Sequence, residues 1–274
     1  MIAVDLKNRS LKKYGIPTLF QGSSAMKTVT IFNLRSTDNK IYMKKATLLL
    51  ALIFFVNLSF AQQKWFTLYT DSTALVKDAN DITSLFISDI QKIKSDIPLD
   101  IKTILNTSPY LIYYENKTVN LPLWSQVITE QKSFFYDVAG SEADGKNVFG
   151  LFFNGFYLPH ELGHGLQHSV EKSLKGSYEN EYFANTVAIL WYRKHGRIPE
   201  LKDCYNYAKK IWAKLPNPVP QGMTIEAYFS KNYEQASENP YTYGYMQFKQ
   251  FIDIYEDVSL PDFDAFMQNY LRKK

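Results

Sequence analysis

Apolar residues recur along the chain at two periods, and the changes of period mark out its elements. Between Thr73 and Ile97, the residues Leu75, Ile82, Leu85, Phe86 and Ile90 return to one side of a 3.6-residue repeat, which predicts a helix with those five buried. Leu111–Tyr114 and Thr118–Leu121 are short β-rich runs around Asn116-Lys117, a pair suited to a turn, and they predict a hairpin. Trp65–Tyr69 and Val148–Phe153 are read as two further strands, the second leading into Pro159 and another helix, and the stretch from Gly140 to Gly145 as a loop. Phe183, Val187, Leu190 and Trp191, spaced four, three and one apart, predict a largely buried helix over Tyr178–Trp191. After Gly196 the pattern is helical over roughly 199–214, 224–235, 240–256 and 261–272, with Pro216, Pro218 and Pro220 marking the one irregular link. If Pro240 opens its helix, Tyr241, Tyr245, Phe248 and Ile252 share an apolar face, while Tyr243 and Gln247 lie one turn apart on another. The expected fold is α+β and helix-rich: a small antiparallel sheet packed on the helix after Pro159, then an all-helical C-terminal half.

The N-terminal pattern is of another kind. Met43-Lys44-Lys45 precedes an apolar run from Ala46 to Val56, and small residues follow as far as Ala61. This is the layout of a bacterial-type secretory signal over 43–61, with cleavage expected after Ala61 and a periplasmic or extracellular product. The apolar run is shorter than the roughly 20 residues of a membrane span, and no Cys follows the cleavage point to carry a lipid. An uncleaved N-terminal anchor is the alternative. Residues 1–42 are polar and without apolar period; they read as an upstream extension, with Met43 the better start. Residues 62–274 are expected to form a single catalytic domain with a full core.

Charge follows that division. Of 31 basic and 27 acidic residues, nine and two fall in 1–61, which leaves 22 and 25 in 62–274, a net charge of −3. The basic balance therefore belongs to the leader, and no argument for nucleic acid or an anionic membrane as a partner survives. Cys204 is the only cysteine, so an intrachain disulfide and a thiolate metal site are both excluded, and it reads as a small core residue. Nothing in the pattern specifies an oligomeric state.

The chemistry concentrates in His160-Glu161-Leu162-Gly163-His164. On a helix, residues i and i+4 lie one above the other, so both imidazoles can point at one metal ion. Glu161 lies about 100° further round, where its carboxylate can reach a water on that ion. Zinc accepts imidazole readily and, in catalytic sites, keeps one position open. A helix bearing two surface histidines is the alternative. A third ligand is needed, and Glu181 stands 17 residues after His164 on the next predicted helix, with Asn185 one turn later on the same face, placed to hydrogen-bond a metal-bound imidazole. Glu179 would point about 200° away from Glu181. His168 reads as pocket rim or packing, and His195, before Gly196, as a cation at a helix end.

His160, Glu161, His164, Glu181, Ala184 and Asn185 together resemble the gluzincin zinc metallopeptidases, the thermolysin-like group that pairs H-E-x-x-H with a Glu ligand on the following helix. Asn185 stands where that group commonly has Asp. The resemblance spans about 30 residues and implies Zn2+ as cofactor, His160, His164 and Glu181 as its ligands, Glu161 as general base, and a peptide or protein as substrate. It further implies a sheet whose edge strand binds peptide backbone, here expected at Val148–Phe153. Val170 occupies the position where a metzincin would need a third His. For the oxyanion that forms on peptide hydrolysis, Tyr243 is the first choice of donor and Tyr245 the second, unless both only pack. A zinc-binding scaffold without turnover and a hydrolase of a cell-wall amide are the alternative functions. Glu161 argues against the first, and the absence of any wall-binding repeat gives the second no support.

Overall fold

Helix α1, Ser72–Ile93, starts where Asp71 accepts a hydrogen bond from the backbone N–H of Thr73 at 2.8 Å. Leu75, Ile82, Phe86 and Ile90 are buried along it as expected, whereas Leu85, one step round from Phe86, is 41% exposed. The helix stops at Ile93 rather than Ile97. Ile97 precedes Pro98, and a residue in that position is driven out of helical geometry. The structure is a computed structural model that describes residues 65–108, 110–172 and 178–272. The expected leader and the upstream extension lie outside those residues. The described residues belong to one compact unit.

Three short strands follow: β1 Lys102–Leu105, β2 Tyr113–Glu115 and β3 Thr118–Leu121, in the order β1-β3-β2. The hairpin β2–β3 is antiparallel, with Tyr114 opposite Val119. Its turn residues Asn116 and Lys117 both have positive φ, +48° and +62°, the backbone that a two-residue hairpin turn demands. β1 was not expected, and it lies parallel to β3, so the sheet is mixed rather than antiparallel. β1 and β2 are the two edges of the sheet and β3 takes the central place, with Val119 and Leu121 fully buried.

The remaining elements are helical: α2 Thr129–Ala139, α3 Glu142–Leu151, a π-helical segment Phe152–Phe156, α4 Tyr157–Ser169, α5 Tyr178–Lys194, α6 Ile198–Trp212, α7 Ile225–Ser237, α8 Pro240–Glu256 and α9 Phe263–Arg272. The last four lie within two residues of the predicted bounds. Val148–Phe153 is therefore the end of α3 and the start of the π segment, not a strand. Its apolar residues are buried or partly buried throughout, with no exposed position between them, and a run of that kind has no period to distinguish helix from strand. Gly140–Gly145 is likewise no loop. Gly140, at φ +93°, ends α2, and Ser141 caps α3 by accepting from the backbone N–H of Asp144.

Trp65–Tyr69 is not a strand but a strap laid over the π segment. A Cβ on Gly155 would sit 2.6 Å from the Phe66 ring, and one on Gly150 2.6 Å from the backbone nitrogen of Leu68, so both glycines make room for the strap. Trp65 Nε1 donates to the Tyr192 hydroxyl at 2.6 Å, and that hydroxyl donates to the Gly155 carbonyl at 2.7 Å. Fully buried Asn154 departs from helical geometry and donates to the Pro122 carbonyl at 3.0 Å, while accepting from the Tyr69 N–H at 3.3 Å. These contacts fix the direction in which the chain enters α4. Helix α4 then packs against α5 at close range, where a Cβ on Gly163 would stand 3.2 Å from the Ala184 Cα. Strands β2 and β3 lie against α4 as well. Among the described residues, no helix is long and apolar enough to cross a membrane.

Candidate metal centre

His160 and His164 project from one face of α4, and Glu181 meets them from the first turn of α5. The Nε2 atoms of the two histidines are 3.2 Å apart, and Glu181 Oε2 lies 3.2 Å from His160 Nε2 and 3.6 Å from His164 Nε2. All three side chains are largely withdrawn from solvent. Tetrahedral zinc with ligands at 2.0–2.1 Å places neighbouring donor atoms about 3.3 Å apart, so these separations suit one small ion seated above the triangle.

The outer sides of the imidazoles settle what the inner sides offer. His160 Nδ1 is 2.9 Å from Asn185 Oδ1, and His164 Nδ1 is 3.1 Å from Gln167 Oε1. An amide oxygen only accepts, so each Nδ1 carries a proton, and in the neutral ring each Nε2 is left with the lone pair. Two lone pairs and a carboxylate oxygen therefore face one another in a buried space, an arrangement that calls for a cation. Proton affinities express the same demand. Burial opposes charge on His164, but Glu181 outweighs it and pushes the imidazole up to about 9. Burial likewise raises Glu181, yet His164 and His160 together hold it well below the usual carboxylate range. The group can hold a metal ion.

Glu161 lies beside the triangle without belonging to it. Its carboxyl is buried and its pKa raised, chiefly by loss of solvent and further by Glu181, although both histidines pull the other way. It accepts the backbone N–H of Tyr114 from β2, and β2 is an outer strand of the sheet. The strand beside the site is thus β2 rather than Val148–Phe153.

Helix α8 brings Tyr243 to the site and leaves Tyr245 out of it. The Tyr243 hydroxyl accepts from Gln247 Nε2 at 2.8 Å, and the same nitrogen donates to Glu181 Oε2 at 2.6 Å. Tyr245 points elsewhere and packs on Trp212, with ring centroids 5.5 Å apart. Asn185 is completely buried and backs His160 as anticipated. His168 packs on the Tyr114 ring at 5.4 Å, and His195 Nε2 lies 2.7 Å from Asp89 Oδ2, so neither joins the triangle. Glu179 faces away and accepts a hydrogen bond from Ser230.

Sequence reasoning missed several participants. Tyr233 of α7 donates to Glu181 Oε1 at 2.5 Å and hydrogen-bonds Tyr243. Tyr157 sets its ring edge against His160 at 5.4 Å. Gln167 and Gln250 complete the surroundings. Only Gln247 left a signal, as a polar residue one turn from Tyr243. No family model, curated protein or solved structure matched this chain when it was compared with them.

Proposed function

We propose that this chain is an exported zinc-dependent peptidase of gluzincin type. The observation that carries the reading is the convergence of two imidazole lone pairs and one carboxylate oxygen on a single point, with the separate buried carboxylate of Glu161 alongside. Two histidines and a glutamate are a ligand set that zinc uses in catalytic sites, where a fourth position stays open. Zinc bound there supplies Lewis acidity towards a substrate carbonyl and acidifies water.

The protein's own groups do the rest. Glu161 takes the proton of the attacking water and returns it to the departing amine. The outer edge of β2, where Tyr114 already meets Glu161, suits an extended peptide added as a further strand. Tyr243 is the donor of choice for the developing oxyanion: Gln247 holds its hydroxyl close to Glu181, and the proton it gives to Tyr233 would turn to the oxyanion.

The test is elemental analysis of purified protein followed by a peptide-library digest, with Glu161→Gln as control. One zinc per chain and cleavage lost in the control support the proposal. A protein that takes up no zinc, or a zinc-loaded one that leaves every peptide intact, sinks it.

A further inference from the structure

Asn185 is held by three hydrogen bonds, and both of its N–H donors are taken. Its Oδ1 faces His160 Nδ1, while its Nδ2 donates to Gln247 Oε1 and to Gln250 Oε1, both at 2.9 Å. An amide nitrogen has two protons, and both are taken. Exchanging oxygen and nitrogen would set a carbonyl against two glutamine oxygens and an NH2 group against the protonated Nδ1 of His160. The glutamines cannot turn to follow. Gln250 Nε2 donates to the Tyr178 carbonyl at 3.0 Å, and Gln247 Nε2 donates to Glu181 Oε2 and to Tyr243. A turned Gln247 would press its oxygen on a carboxylate. Asn185, Gln247, Gln250 and Glu181 are all buried, so water cannot repair a wrong orientation.

We infer that Gln247 and Gln250 of α8 are positioning residues for the metal centre: they lock the Asn185 oxygen towards His160 and keep its Nε2 free for the ion. Gln247 has a second task, holding the Glu181 oxygen that faces both histidines. This rests on His160, His164 and Glu181 being metal ligands. The support is uncharged on both sides, because His164 is backed in the same way by Gln167, whose Nε2 donates to Asn180 Oδ1 at 2.9 Å. The difference from the group that the motif resembles then has a physical reason. An Asp at 185 would present carboxylate oxygen to two amide oxygens that are fixed from behind.

The experiment measures zinc affinity by chelator competition, and the visible spectrum of the Co2+-loaded protein, for the full chain and for Gln247→Leu, Gln250→Leu, Gln250→Glu and His160→Ala. Each leucine variant is expected to weaken zinc by about 10–100-fold and to alter the cobalt bands, which report ligand geometry. Gln250→Glu keeps an oxygen for Asn185 and, when protonated, a donor for the Tyr178 carbonyl, so it should bind zinc within a few-fold of the parent. If the parent binds one zinc that His160→Ala loses, yet both leucine variants match the parent in affinity and spectrum, the inference is overturned and the metal site stands. It is overturned equally if Gln250→Glu fails as badly as Gln250→Leu. If the parent binds no zinc, or His160→Ala binds it as tightly, the ligand assignment fails and takes the inference with it. Should the leucine variants not fold, Asn185→Asp decides at constant volume. Weakened zinc binding supports the inference, and parental affinity overturns it.

Discussion

At His160 and His164, one turn of helix is enough to aim two imidazoles in the same direction, and the expected roles of individual side chains can be separated by single substitutions. His160→Ala, His164→Ala and Glu181→Ala should each lose stoichiometric zinc by elemental analysis, since each removes one corner of the triangle. Glu161→Gln should keep the metal and lose about 10²–10⁴-fold in peptide turnover, the usual contribution of a general base. A variant that loses both together would place Glu161 among the ligands instead. Tyr233→Phe removes the 2.5 Å hydrogen bond to Glu181 Oε1 and should cost about 1.5–3 kcal/mol, read as weaker zinc binding. Unchanged affinity would mean that Gln247 alone holds that carboxylate. At this scale the motif residues were legible because their spacing along a helix is itself geometry. Tyr233 was not, because its place beside Glu181 depends on how α7 packs, and nothing local to Asn232-Tyr233-Glu234 records it.

Among the elements, the least expected feature lies just before α4. The strap Trp65–Tyr69 is pressed against the end of α3 at Gly150 and against the π segment Phe152–Phe156 at Gly155. Gly155→Ala should therefore destabilise the protein by about 1–3 kcal/mol in urea titrations, because the added methyl meets the Phe66 ring. Since Tyr192 of α5 also bonds this segment, the same variant should weaken zinc binding, as α4 and α5 lose their common register. Parental stability and affinity would show that the strap yields without consequence. The apolar pattern foretold the existence of α1, α5 and the four C-terminal helices, since each carries a stripe or a cap of its own. It failed at Val148–Phe153 and at Trp65–Tyr69. Both are short apolar runs that are buried from several directions, and such runs hold no periodic signal.

At the scale of the whole molecule, two of the devices that join distant parts of the chain respond to solution conditions. The first is Asp89 of α1, buried among Lys92, Lys194, Trp191 and His195, which ties α1 to the end of α5. Burial raises its pKa, but the hydrogen bonds from His195 and Lys92 and the charge of Lys194 outweigh that and hold it below the ordinary 3.8. A carboxyl lowered on folding adds stability that is complete above its unfolded value and is lost as pH falls through its native one. Stability measured in urea should therefore fall below about pH 4, and Asp89→Asn should remove part of that fall. An identical acid limb in the variant would assign it to other carboxylates. The second device is the candidate metal centre, whose side chains come from both α4 and α5, so an ion held there would pin the two helices together. A ligand at a thousand times its dissociation constant stabilises by about 4 kcal/mol, so chelation should lower the melting temperature by on the order of 10 °C. His160→Ala should be insensitive to the chelator, and an equal shift in that variant would point to metal bound elsewhere.

From its own pattern, the sequence set the spacing of His160 and His164 on one helix, the glutamate and asparagine one turn apart on the next, the hairpin at Asn116-Lys117 and the helical character of the second half. All of these are set by interactions within a few residues, where the backbone period alone decides which side chains share a face. Tertiary structure decided the rest: that β1 runs parallel to β3, that β2 is the strand against Glu161, and that α7 and α8 bring Tyr233, Gln247 and Gln250 to Glu181 and Asn185 of α5. Those residues are joined across 52 to 66 positions of chain by buried hydrogen bonds. A partner that far away is chosen by the packing of whole helices, and no pattern around either residue specifies it.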